Sequence, residues 1–150
     1  MALSQSTVLA QIRDLVATVT GMVRVYAAGE TDENAIPASI QEWPAALVIP
    51  GPTLEYILSP VQHRHTYEVT VQVLEAGGDI GERVTDVLPF VDRIIELFAG
   101  NVTLGNRANY CIFKRSSGLS GLEYGNIEYT GYEITLEVSE QATATAATGS

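Results

Sequence analysis

His65-Thr66-Tyr67-Glu68-Val69-Thr70-Val71-Gln72-Val73-Leu74 alternates residue by residue. Tyr67, Val69, Val71 and Val73 fall on one side, and Thr66, Glu68, Thr70 and Gln72 on the other. Successive side chains of a strand point to opposite faces. The stretch therefore predicts a strand with one buried and one wet face, as in an antiparallel sheet. Upstream, residues 45–49 are an apolar strand stopped by Pro50-Gly51-Pro52, and residues 53–59 predict another, broken by Pro60. Residues 22–27 read as a short strand with Val23 and Val25 opposed to Arg24 and Tyr26. Downstream, residues 107–115 alternate Tyr110 and Ile112 against Cys111 and Phe113. Residues 127–139 are a long last strand, with Ile134, Leu136 and Val138 inward and Glu133, Thr135 and Glu137 outward.

Two segments carry helical periodicity. In residues 4–20, Val8, Leu9, Ile12, Leu15, Val16 and Val19 form one stripe, with Ser6 as the expected N-cap and Gly21 as the stop. In residues 80–99 the stripe is Val84, Val87, Leu88, Val91, Ile94, Ile95 and Phe98. Pro89 lies inside it, and an interior proline costs about 3 kcal/mol. Either the helix kinks there or it begins near Asp86 with Pro89 in its first turn. Hairpin-length connections outnumber helical crossovers. The expected fold class is α+β: a mainly antiparallel or mixed sheet with two helices packed on one face. Residues 1–140 make one domain, and the Ala/Thr/Gly-rich residues 141–150 are expected to be a disordered tail.

At 150 residues the chain is long enough for one core without a metal or disulfide staple. With 46% hydrophobic residues it has the apolar surface to offset the entropy of ordering. Eighteen acidic residues against eight basic ones give a net charge of −10, a surface that repels phosphate. The longest basic cluster is Lys114-Arg115, so tight DNA binding is not expected, although DNA can pass through an acidic lumen without sticking. No apolar run reaches the ~18 residues of a membrane span. The single cysteine, Cys111, excludes an internal disulfide, and residues 1–7 lack the plan of a signal peptide; both fit a reducing cytoplasm.

Motifs for chemistry are sparse. Gly77-Gly78-Asp79-Ile80-Gly81 lacks the lysine and spacing of a phosphate loop and reads as a turn before a helix. His63 and His65 share a strand face, but no third ligand completes a metal site. Cys111 sits in an apolar strand and reads as core. Asp86, Asp92 and Glu96 read as a solvated helix face. No enzyme activity, cofactor or metal is expected. Two segments are candidates for contact with other subunits or partners. One is the long polar loop 28–43 with Glu30, Asp32, Glu33 and Trp43, expected to be mobile in a free subunit. The other is the Gly/Ser-rich connection 116–126 with Ser116, Leu119, Leu122 and Tyr124.

Four stretches together resemble a known family: WPAALVIP at 43–50, HTYEVTVQV at 65–73, LPFVDRIIELF at 88–98 followed by NVTLG at 101–105, and YGNIEYTGYEITLEV at 124–138. Their order and spacing resemble the tail terminator (tail completion) proteins of long-tailed bacteriophages. The likeness implies an α+β subunit of a hexameric ring, located in the neck of the virion and assembled in the bacterial cytoplasm. The ring would cap the head-proximal end of the tail tube, end tube polymerisation and dock the head-side connector. Its partners would be further copies of itself, the tube protein and the connector, with DNA crossing the lumen and no membrane involved. The alternatives are another neck ring protein (a head–tail adaptor or head-closure subunit) or, from a different class, a small metal- or ligand-binding domain or enzyme.

Overall fold

A computed structural model describes residues 3–29, 35–37, 44–75, 80–105, 108–117, 120–124 and 127–143, with the backbone alone at 75, 80–87, 120–124, 127–130 and 143. The elements run α1 (Gln5–Ala17), β1 (Arg24–Ala27), β2 (Ala45–Leu58), β3 (Gln62–Glu75), α2 (Ile80–Ala99), β4 (Tyr110–Ser116), β5 (Ser120–Tyr124) and β6 (Ile127–Thr143). The sheet order is β1-β2-β3-β6-β4. The pairs are antiparallel except β1–β2, so the sheet is mixed. Thr130 and Gly131 pair with Glu75 and Leu74 on one side and with Gly121 and Ser120 on the other. β5 therefore continues along the same edge of β6 as β4. The fold is α+β.

Both helices lie on one face. From α1, Val8, Leu9, Ile12 and Val16 are buried, and from α2, Val91, Ile94 and Phe98. They share one core with Tyr67, Val69, Val71 and Val73 of β3, Ile134, Leu136 and Val138 of β6, and Cys111 of β4. The alternation in β3 and β6 is thus a direct record of which side the helices cover. Leu88, on the expected stripe, is instead 43% exposed. A smaller cluster of Tyr26, Ala45, Leu47 and Leu74, packed by Ile36 and Ile49, covers one end of the other face.

Four expectations need correction, while the alternation of Val25 against Tyr26 in β1 and the 80–99 span of α2 hold. The cap of α1 is Ser4 rather than Ser6; its Oγ accepts from the Thr7 N–H at 3.4 Å. In β1, Val25, Tyr26 and Ala27 are all buried, because the helix-side core takes Val25 and Ala27 and the second cluster takes Tyr26. Residues 45–58 form one strand across Pro50-Gly51-Pro52 instead of two. Prolines survive in a strand where no ladder N–H is needed, and the register shifts between Pro50 and Glu55 mark a bulged stretch. A Cβ at Gly51 would lie 3.0 Å from the Glu68 carbonyl oxygen, so glycine permits this close approach. α2 starts at Ile80 with Pro89 inside it, so the later start near Asp86 is not used. The connection 116–126 contains β5, which is held by its pairing with β6. β6 runs on to Thr143 with Ala142 buried, so residues 141–143 belong to the domain and not to a tail.

Glu140 ties the chain ends together. It is only 2% exposed. Its Oε2 accepts from the Tyr67 hydroxyl at 2.7 Å, and its Oε1 accepts from the Ser4 backbone N–H, also at 2.7 Å. A carboxylate at a helix N-terminus also meets the positive end of the helix dipole. Replacing it leaves a buried hydroxyl without its partner, at a cost of roughly 1–3 kcal/mol. Glu140→Ala should lower unfolding stability by about that amount in urea titration; unchanged stability would contradict the tie.

Candidate assembly surface

The strands are longer than the helices that cover them. A 14-residue strand such as β3 spans about 48 Å. The 13-residue α1 spans about 20 Å and the 20-residue α2 about 30 Å. Neither helix reaches the far end of the β2–β3 hairpin, where residues 53–65 form an arm. Here Leu54, Tyr56, Ile57, Leu58 and Val61 are exposed, Val61 at 72%. The arm is nonetheless ordered by its own bonds. At its tip the Ser59 N–H donates to the Gln62 carbonyl at 2.9 Å, and the Ser59 Oγ accepts from the Gln62 N–H at 2.9 Å. At its base the His65 ring lies 4.5 Å from both Tyr56 and Tyr67, with Nε2 2.9 Å from the Thr53 hydroxyl. Burial holds the His65 pKa below its ordinary 6.5, against the opposing pull of nearby Glu140.

On the helix-free face a groove of about 420 Å³ runs between the arm and β4. Leu54, Glu55 and Arg64 line one side, and Asn109, Tyr110 and Glu137 the other. Beside it lies a charge network. Glu68, 5% exposed, accepts from Lys114 Nζ at 2.8 Å and from both terminal nitrogens of Arg115 at 3.2 and 3.0 Å. Lys114 also lies 3.5 Å from Glu137, which accepts from the Tyr110 hydroxyl at 2.7 Å. Hydrogen bonds from Lys114 and then Arg115 hold the Glu68 carboxyl below its ordinary 4.5. The network fixes β4 to the sheet with polar groups on a face that has no helix to cover it.

Of the expected contact residues, Glu30, Asp32, Glu33, Trp43 and Leu119 lie outside the described residues. Part of their loop is described, and Ile36 packs against the second cluster, so the loop is not wholly exposed. Ser116 ends β4 and is exposed, while Leu122 and Tyr124 sit in β5 opposite Tyr129 and Ile127. The structure thus brings Ser116, Leu122 and Tyr124 onto one sheet edge. The sequence reading missed the arm, because apolar residues in a strand look like core until the reach of the helices is known. Cys111 is fully buried with its thiol pushed up to about 12 by burial, which makes it core. Asp92 and Glu96 are exposed, as read. Among the described residues no three His, Cys, Asp or Glu side chains group as metal ligands, and no helix is long and apolar enough to cross a membrane.

The Glu68 network sets a pH dependence. A carboxyl whose folded pKa is depressed contributes stability above its unfolded value, and loses it as pH falls through the folded value. Thermal stability should therefore be flat in this respect above about 4.5 and fall below it, with a shallower acid slope in Glu68→Gln. Identical acid slopes for the two proteins would show that the network contributes nothing. Neither a family model nor a curated protein sequence matches this chain.

Proposed function

We propose that the chain is a structural subunit of a long-tailed phage virion. Copies join into a hexameric ring that caps the head-proximal end of the tail tube, ends its polymerisation and receives the head-side connector. The observation that carries this reading is the overhanging arm. Leu54, Tyr56, Ile57, Leu58 and Val61 are exposed on one hairpin, and this much apolar surface left in water marks a contact element. The four stretches resembling tail terminators support this choice of assembly. Their described residues fall at the start of β2, in β3, in the second half of α2 with the turn after it, and at Tyr124 of β5 with most of β6. The acidic balance supports the lumen's role, because a wall that attracts phosphate would slow DNA transit.

Charge also constrains assembly. Six copies of a −10 chain gather about −60 in one ring, and that repulsion is screened by salt. Light scattering followed by negative-stain imaging should show a ring of six subunits, favoured by added salt or magnesium. Purified tail tubes should acquire the ring at one end and stop growing. A ring favoured by low salt would contradict the electrostatic argument. Failure to form a ring, with or without tubes, would overturn the assignment. A ring that ignores tubes but binds connectors would move the protein elsewhere in the neck.

A further inference from the structure

The sheet has two open edges at opposite ends of its strand order. β1 covers β2 only along residues 45–48. Among the described residues no strand pairs with the outer edge of β2 from residue 53 to 58. Pro50 and Pro52, which have no N–H to donate, separate that open stretch from the part β1 covers. At the other end, the outer edge of β4 is met at Cys111, whose N–H donates to the Val102 carbonyl at 2.6 Å. From Ile112 to Ser116 no strand among the described residues pairs with it. The two open stretches are close in length, residues 53–58 on one and 112–116 on the other.

They also match in direction. β2 is antiparallel to β3, β3 to β6, and β6 to β4. β2 and β4 therefore run in opposite directions within one subunit. When β4 of one copy lies beside β2 of the next, with the sheets oriented alike, the new pair is antiparallel and continues the alternation.

Charge selects the same pair of surfaces. Residues 53–65 and 110–116 together hold one acid, Glu55, and three bases, Arg64, Lys114 and Arg115. The excess negative charge of the chain lies entirely elsewhere. The β2 stretch carries an exposed Glu55 beside Arg64, and the β4 stretch carries Lys114 and Arg115, whose charges Glu68 and Glu137 balance within the subunit. Both carry exposed apolar side chains: Leu54, Ile57 and Leu58 on one, Ile112 and Phe113 on the other. In a chain of −10, a second copy meets exposed apolar surface and little net negative charge at these two edges.

We infer that the open edge of β2 in one copy pairs with the open edge of β4 in the next, so that the subunit sheets join edge to edge around the assembly. The contact is heterologous, one surface fitting a different one, and such contacts generate rings when the rotation closes. Sheet twist supplies part of that rotation. The inference rests on the ring reading and names its interface.

Paired cysteines test it in the full chain. Leu54→Cys or Ile57→Cys is combined with Ile112→Cys or Phe113→Cys, all at exposed positions, while buried Cys111 is left in place. A disulfide requires Cα atoms within about 7 Å, so only edge-paired strands will cross-link. Mild oxidation of the assembled double variants should give a ladder of covalent oligomers up to the full ring, and single variants should remain uncross-linked. As a second measure, Ile57→Lys should leave the monomer's circular dichroism and melting unchanged and weaken assembly at least tenfold. Rings that form without cross-linking by any pair, or that are indifferent to Ile57→Lys, overturn the edge contact and leave the ring standing. Absence of assembly in every condition, tubes included, overturns both.

Discussion

The unbroken pairing of β3 with β6 is the constraint on which the rest of the structure depends. It runs without a register shift from Gln62 opposite Thr143 to Glu75 opposite Thr130. Side-chain period in a strand is two, so a slip of one residue would turn Tyr67, Val69, Val71 and Val73 away from the helices together. The pairing sets these four beside Val138, Leu136, Ile134 and Tyr132 and lays a continuous apolar strip under α2. β2 takes its place from β3, and β4 and β5 take theirs from β6. Glu140 then closes the system by tying the late part of β6 to Tyr67 and to the start of α1.

What the sequence revealed follows from that constraint. β3, β6 and the two helices were legible because each has one face in the core, and burial writes its period into the residue pattern. Segments ordered by their neighbours were not. β5 holds Ser120 and Gly121, weak strand formers, and is a strand because β6 offers it an edge. Pro50-Gly51-Pro52 reads as punctuation, but on a bulged outer strand two prolines break nothing. The extension of β6 through Ala142 is invisible in its composition and follows from pairing with Gln62, His63 and Arg64. The candidate surface was legible only in part. Ser116, Leu122 and Tyr124 share an edge because β4 and β5 follow one strand, whereas the exposure of Tyr56 and Leu58 depends on where the helices stop, and strand alternation does not encode that.

Length mismatch links the fold to the proposed role. A sheet longer than its helical cover leaves an apolar arm in water unless another molecule covers it. A monomeric protein would be expected to shorten the arm or place lysines on it. This chain places prolines at its base, closes its tip with Ser59, and leaves Leu54, Ile57, Leu58 and Val61 outward. With strong acidity elsewhere, the proposed self-association falls on surfaces where the charge is balanced. A subunit that must join its own kind in one geometry while admitting DNA through the centre needs both properties.

Amide hydrogen exchange, compared between free subunits and the assembled ring, tests the central claim most directly. Backbone amides in an open strand edge exchange rapidly and become protected once a neighbouring strand accepts their hydrogen bonds. The account predicts slow exchange in the middle of β3 and β6 in both states, with residues 53–58 and 112–116 passing from fast to slow on assembly. Protection arising elsewhere, with these two edges still exchanging freely in the ring, would contradict it.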